Sequence, residues 1–242
     1  MVINPKELKI KIFADGANIN EMIKAYKEGL VKGFTTNPTL MKKNGIKNYE
    51  IFAKDILKVI IDLPISFEVF SDDFDIMEKE ARLISSWGKN VYVKIPITNT
   101  KKESSIPLIN KLSQDGLKLN ITAMLTLEQV IDVSKAITNQ SSTILSVFAG
   151  RIADTGRDPI PIMKKAVGIL ENNNNAELLW ASPRELLNIF HAEECGCNII
   201  TVTNDILNKF HFINKDLEEL SLDTVKMFYN DGQNLGYNIL DN

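Results

Sequence analysis

Asn-Val-Tyr-Val-Lys-Ile-Pro, residues 90–96, is an apolar run with one charge near its end. A short run rich in valine and bounded by polar residues reads as a strand buried on both faces, as in a parallel sheet. Lys94 is the exception in it. Lysine is rarely buried without a partner. One reading is a strand-end lysine that snorkels its ammonium to solvent. The other is a lysine kept from water. Desolvation disfavours the ammonium form, and a neutral amine attacks carbonyls to form a Schiff base. Position alone favours the first reading; the rest of the chain reverses it.

On either side of this run, short apolar segments alternate with longer amphipathic ones. Strands are expected at 11–15, 33–37, 65–70, 90–96, 118–125, 143–150, 177–182 and 198–203. Helical patterns fill the gaps. The one at 20–29 ends in Gly29, a helix-stop signal. The one at 49–61 sets Ile51, Phe52, Ile56, Val59 and Ile60 on one face. The one at 73–87 opens with acids, which suit a helix amino terminus. Others lie at 101–116, 127–137, 160–172 and 183–196, with a shorter one at 205–210. A trailing helix at about 216–233 has no strand after it. Parallel strands need helical crossovers, so this alternation predicts a parallel sheet. Eight units in 242 residues favour a closed (β/α)8 TIM barrel, as a single domain over 1–242. The chain lacks G-x-G-x-x-G and G-x-x-x-x-G-K-[ST], which argues against a dinucleotide fold or a P-loop. The four asparagines at 172–175 read as a solvated loop.

Composition narrows the function classes. The formal net charge is −3, which gives no hint of nucleic acid or an anionic membrane as partner. No apolar run approaches the roughly 18 residues of a membrane-spanning helix. The amino terminus lacks the apolar core of a signal peptide, so a cytoplasmic enzyme is expected. Cys195 and Cys197 form a lone Cys-x-Cys. A structural zinc site needs about four ligands, so the two read as reduced packing residues. His191 and His211 also read as structural. No metal and no cofactor are expected.

The polar exceptions gather at the carboxyl ends of the expected strands. Asp15 ends the first, Thr36 and Asn37 the second, and Glu68 lies on the third. Lys94 is on the fourth. Asn120 and Thr122 alternate on the fifth, so both point to one side. Ser146 and Arg151 flank the end of the sixth, and Ser182 and Arg184 follow the seventh. In a barrel these ends converge on one mouth, where active sites form. Each residue alone could be a cap or a satisfied core group. Seven consecutive strands each offering a polar group at the same end point to a shared site.

Together the segments Phe-Ala-Asp-Gly-Ala-Asn (13–18), Gly-Phe-Thr-Thr-Asn-Pro-Thr (33–39), Phe-Glu-Val (67–69), Val-Lys-Ile-Pro (93–96), Leu-Asn-Ile-Thr-Ala (119–123), Ser-Val-Phe-Ala-Gly-Arg-Ile (146–152) and Ala-Ser-Pro-Arg (181–184) resemble the transaldolase family. That family includes the fructose-6-phosphate aldolases. The resemblance spans roughly 11–204, and in length the chain is similar to the family's short branch. It implies a class I aldolase barrel acting through a Schiff base. Lys94 matches the lysine nucleophile and Asp15 the acid/base at the scissile bond. Glu68 and Thr122 match a pair that holds a catalytic water. Asn37 and Asn120 match residues that contact substrate hydroxyls and the lysine side. Ser146, Arg151, Ser182 and Arg184 match phosphate-site positions, where two guanidiniums suit a dianion. The implied partners are a sugar-phosphate donor and an aldehyde acceptor; a homo-oligomer is expected, with the trailing helix packing either over the mouth or against a neighbour.

The chain departs from the pattern at Gly16 and Pro183, which bear on acceptor and substrate length. Glu68 and Phe148 stand where the aldolase members carry Gln and Tyr, which favours transfer of a dihydroxyacetone unit over simple cleavage. Cleavage, and a specialised donor such as a sulfonated ketose phosphate, stay open. So does a barrel isomerase, with Glu68 as base and Lys94 as electrostatic stabiliser, whereas the complete set of Asp15, Glu68, Lys94 and Thr122 argues against a non-catalytic sugar-phosphate sensor.

Overall fold

The computed structural model describes residues 7–237, 239 and 240. Eight parallel strands close into a barrel in chain order, with the first paired to the last. They are β1 (Lys11–Asp15), β2 (Gly33–Thr35), β3 (Ile65–Glu68), β4 (Val91–Pro96), β5 (Leu119–Met124), β6 (Thr143–Val147), β7 (Ala176–Trp180) and β8 (Ile199–Thr203). The helices among the described residues are α1 (Ile19–Glu28), α2 (Pro38–Lys43), α3 (Tyr49–Leu57), α4 (Phe74–Ser85), α5 (Ile106–Gln114), α6 (Leu127–Ala136), α7 (Ala149–Asp154), α8 (Ile160–Leu170), α9 (Leu187–Cys195), α10 (Asn204–Leu207) and α11 (Leu217–Asn234). This is the expected TIM barrel. Of the span 1–242, residues 1–6, 238, 241 and 242 lie outside the described residues.

Strand alternation sorts side chains into two layers. Ile12, Phe34, Phe67, Val93, Ile121, Leu145, Leu178 and Ile200 face outward and bury against Met22, Ile56, Met77, Ile109, Val133, Met163 and Ile189 of the helices. Each such burial is worth about 1.5–3 kcal/mol, which is why the helices dock on the sheet. The intervening residues face inward. Phe13, Ile144, Leu179 and Ile199, with half-buried Tyr92, plug the lumen. Gly33 makes this plug possible: a Cβ there would lie 2.5 Å from Cζ of Phe13. Below the plug, Lys11 and Glu177 pair at 2.6 Å. The remaining inward polar residues lie above it, at the carboxyl ends.

Two strands and two helices depart from their expected bounds. The second strand was expected to reach residue 37 but stops at Thr35, because Asn37 caps α2 by accepting from Leu40 N–H, with Pro38 in the first turn. The sixth was expected to reach 150 but stops at Val147, where α7 begins with no side-chain cap at Phe148. The helix expected at 101–116 begins only at Ile106, and the one at 183–196 begins at Leu187. In α11, capped by Asp216, no side chain is buried, and Leu222, Val225 and Phe228 lie exposed. No helix among the described residues is long and apolar enough to cross a membrane.

Candidate active site

Strand pleating aims Asp15, Thr35, Glu68, Lys94, Thr122, Ser146 and Thr201 into a cleft of about 510 Å³ at the carboxyl-terminal mouth. Asn37, Phe148, Arg151 and Ser182, from the loops after the strands, complete its wall. Lys94 is central. Its side chain does not snorkel out: the residue is 6% exposed. Its Nζ donates to the Thr36 carbonyl at 3.0 Å and sits 3.1 Å from Glu68 Oε2. The pairing follows from register, since Glu68 of β3 lies beside Lys94 of β4.

Asp15 is the second carboxyl. Burial pushes it above the ordinary carboxylate range. The Lys94 ammonium and the Thr35 hydroxyl pull it back down, and Glu68 pushes it up again. Thr35 Oγ1 donates to Asp15 Oδ1 at 2.8 Å and lies 2.5 Å from Thr201 Oγ1. A carboxyl held this way can keep a proton at higher pH than a solvated one, and can then give or take it locally.

Thr122 faces the same space. Its hydroxyl is buried and has no hydrogen-bond partner in the protein. An unpaired buried hydroxyl costs free energy unless something in the cleft satisfies it. The backbone beside it is irregular. The β5–β6 register slips between Ile121 and Met124, and Ala123 adopts φ 62°. A bulge of this kind re-aims a side chain, and here both Thr122 and Ala123 line the cleft. Ser182 is a second strained residue on the wall, with φ 57°. Gly150 lets it sit there, because a Cβ on Gly150 would fall 1.5 Å from the Ser182 carbonyl oxygen.

The other expected site residues take varied places. Arg151 lines the cleft, its guanidinium 5.4 Å from the centre of the Phe148 ring. Asn120 lies out of solvent beneath the floor. Its amide donates to Ser66 Oγ at 2.9 Å and accepts from Ser146 Oγ at 2.6 Å, which orients Ser146. Thr36 turns its hydroxyl away, onto the Ser66 carbonyl at 2.9 Å, and offers only its own carbonyl to Lys94. Arg184 pairs with a neighbouring carboxylate. It is absent from the cleft wall, and its guanidinium grips Asp154 with two hydrogen bonds, Nε to Oδ1 at 2.9 Å and Nη2 to Oδ2. That pair holds the Asp154 carboxyl below its usual range.

Sequence reasoning missed Thr35 and Thr201. Thr201 was readable: it shares the inward alternation of Ile199 on β8, but it lies two residues before the strand end where polar groups were sought. Cys195 and Cys197 are buried, and no group of three His, Cys, Asp or Glu able to hold a metal occurs among the described residues.

Fold and cleft together define a (β/α)8-barrel enzyme whose mouth is organised around a buried amine and two carboxyls. The barrel superposes on dihydrodipicolinate synthase from Rhodopseudomonas palustris with a TM-score of 0.56, covering 84% of this chain and 72% of that one. At 13% identity this is a likeness of fold alone. Sequence comparison is more specific. The chain belongs to the transaldolase/fructose-6-phosphate aldolase family of enzymes, whose model matches residues 12–239. It is 35% identical over 201 residues to "Probable transaldolase 2" of Listeria monocytogenes, covering 83% of this chain and 88% of that one. It is 37% identical over 201 residues to a "Probable transaldolase" of Thermoplasma volcanium, covering 82% and 86%.

Proposed function

We propose that this enzyme is a Schiff-base transaldolase, moving a dihydroxyacetone unit from a ketose phosphate to an aldehyde. The buried Lys94 amine, 3.1 Å from the Glu68 carboxylate at the closed end of the cleft, carries this reading. In its neutral form the amine adds to the donor ketone to give a carbinolamine. Glu68 and the Thr122 hydroxyl hold the water that shuttles protons as hydroxide leaves and the iminium forms. Asp15, as carboxylate, takes the proton from the hydroxyl beside the scissile bond. That bond breaks, the aldehyde product departs, and the electron pair stays on the lysine-bound unit as an enamine. The enamine then adds to the acceptor aldehyde, and water releases the new ketose from Lys94. Arg151, with Ser182, holds the terminal phosphate, Ser146 lines the wall beside them with its hydroxyl donated to Asn120, and Asn37 meets the donor hydroxyls.

Phe148 supports transfer over simple cleavage. It puts an apolar ring, with no hydroxyl to position water, on the cleft wall. The exposed apolar side chains of α11 support a homo-oligomer, and sedimentation of the full chain tests it. A cytoplasmic sugar-phosphate route is the setting this reading implies. Borohydride reduction with fructose 6-phosphate, followed by intact mass, tests the chemistry. A stable adduct should form on the wild type and vanish in Lys94→Met. No adduct on active wild-type enzyme would instead favour an isomerase with Glu68 as base.

A further inference from the structure

The β2–β3 seam of the barrel comes apart at the active site, and one side chain outside the cleft bridges the gap. Lower down, the parallel ladder is regular. Phe34 N–H donates to the Pro64 carbonyl at 2.8 Å and Thr36 N–H to the Ser66 carbonyl at 3.1 Å. By the same pattern Glu68 N–H should donate next to the Thr36 carbonyl, and residue 38 should donate to the Glu68 carbonyl. Neither rung forms. The Thr36 carbonyl accepts Lys94 Nζ at 3.0 Å, and residue 38 is a proline with no N–H. Glu68 would be left with two unpaired backbone groups at the site, a costly arrangement.

The Tyr49 hydroxyl fills the gap. It accepts from Glu68 N–H at 2.7 Å and donates to the Glu68 carbonyl at 3.1 Å. Its ring is held on three sides. It stacks on Phe70 with centres 4.7 Å apart, and meets Phe67 and Trp87 edge-on at 5.9 and 5.5 Å. Tyr49 is the first residue of α3, and Asn48 fixes that start by accepting from Ile51 N–H. Burial pushes the phenol up, so it keeps its proton across the working range.

We infer that Tyr49 is a positioning residue: its hydroxyl replaces the missing β2–β3 rung, which holds Glu68 against Lys94 and leaves the Thr36 carbonyl free for the amine. A loss of alignment near 1 Å at a reacting group costs roughly 10²-fold. The inference rests on the Schiff-base reading, so wild-type trapping is measured first, and its absence would defeat that reading alone. With trapping established, rapid-quench borohydride kinetics compare wild type, Tyr49→Phe, Glu68→Gln and the double variant. Tyr49→Phe should slow imine formation about 10–100-fold, with KM for fructose 6-phosphate little changed. In the Glu68→Gln background the same change should have a much smaller effect, because the side chain it positions has already lost its charge. A purely structural tyrosine would slow both backgrounds by the same factor, and that result, or no slowing at all, overturns the inference. If Tyr49→Phe does not fold, amide exchange in the wild type decides. Glu68 N–H should be protected as well as the ladder N–H of Val93, and rapid exchange would remove the clamp and the inference with it.

Discussion

Arg151→Ala removes the guanidinium that faces the cleft, whereas Arg184→Ala removes one already engaged by Asp154. The two substitutions should therefore differ. A charge-assisted contact is worth roughly 1.5–3 kcal/mol, which corresponds to about 12- to 150-fold in binding. Arg151→Ala should raise KM for fructose 6-phosphate by that factor. Dihydroxyacetone, which has no phosphate but still meets Lys94, should be used by Arg151→Ala nearly as well as by wild type. The Asp154–Arg184 pair is about half exposed on both sides. Such a pair contributes only about 0–1 kcal/mol, so Arg184→Ala should shift stability slightly and KM by no more than roughly twofold. Steady-state kinetics on both donors give the answer. If Arg184→Ala raises KM for the phosphorylated donor as much as Arg151→Ala does, Asp154 surrenders its partner when the anion arrives. A single-arginine anion site is then wrong.

Asp15→Asn should stabilise the fold near neutral pH while abolishing turnover. The folded carboxyl titrates above its ordinary value of 3.8, so the native state holds this proton more tightly than the unfolded chain does. Stability then falls as pH rises from about 4 towards the folded value, and the variant escapes that loss; equal melting temperatures at pH 4 with a higher one for the variant at pH 7 would show it, and the reverse order would refute it. Gly150→Ala should cost about 1–3 kcal/mol by overpacking, because its Cβ would collide with the Ser182 carbonyl. Thermal unfolding measures that loss, and KM for the phosphorylated donor should rise with it as Ser182 and Arg151 shift. Burial pushes the Cys197 thiol up to about 12, so Cys197 should resist thiol reagents at pH 8 in the native state and react once unfolded.

The barrel was legible because its signal is periodic and repeats eight times. Lys94 and Glu68 were legible because a charge inside an apolar strand has few structural reasons to be there. What escaped depended on contacts between distant residues or on weak local signals. Arg184 meets Asp154 across 30 positions, and nothing in Ser-Pro-Arg shows that the guanidinium is already taken. Tyr49 reads as the first residue of an amphipathic helix; its role depends on a gap between two strands that no pattern along the chain records. Helix α7 has no polar cap to announce it, whereas the Asn-Pro at 37–38 that starts α2 is a readable signal.

The apolar plug in the lumen divides four of the strands, β1, β4, β6 and β8, into two jobs. Phe13 and Asp15, Ile144 and Ser146, and Ile199 and Thr201 are pairs two residues apart on one strand, one member in the plug and the other in the cleft. Tyr92, packed against the plug, stands in the same relation to Lys94. Two residues of strand span about 6.6 Å. Over that distance the demand on a side chain changes from filling volume to presenting a particular atom. The lower position accepts any residue that restores the packing, and the upper accepts any residue the reaction can use. New chemistry can therefore be tried at the rim of such a barrel without re-founding the structure beneath it.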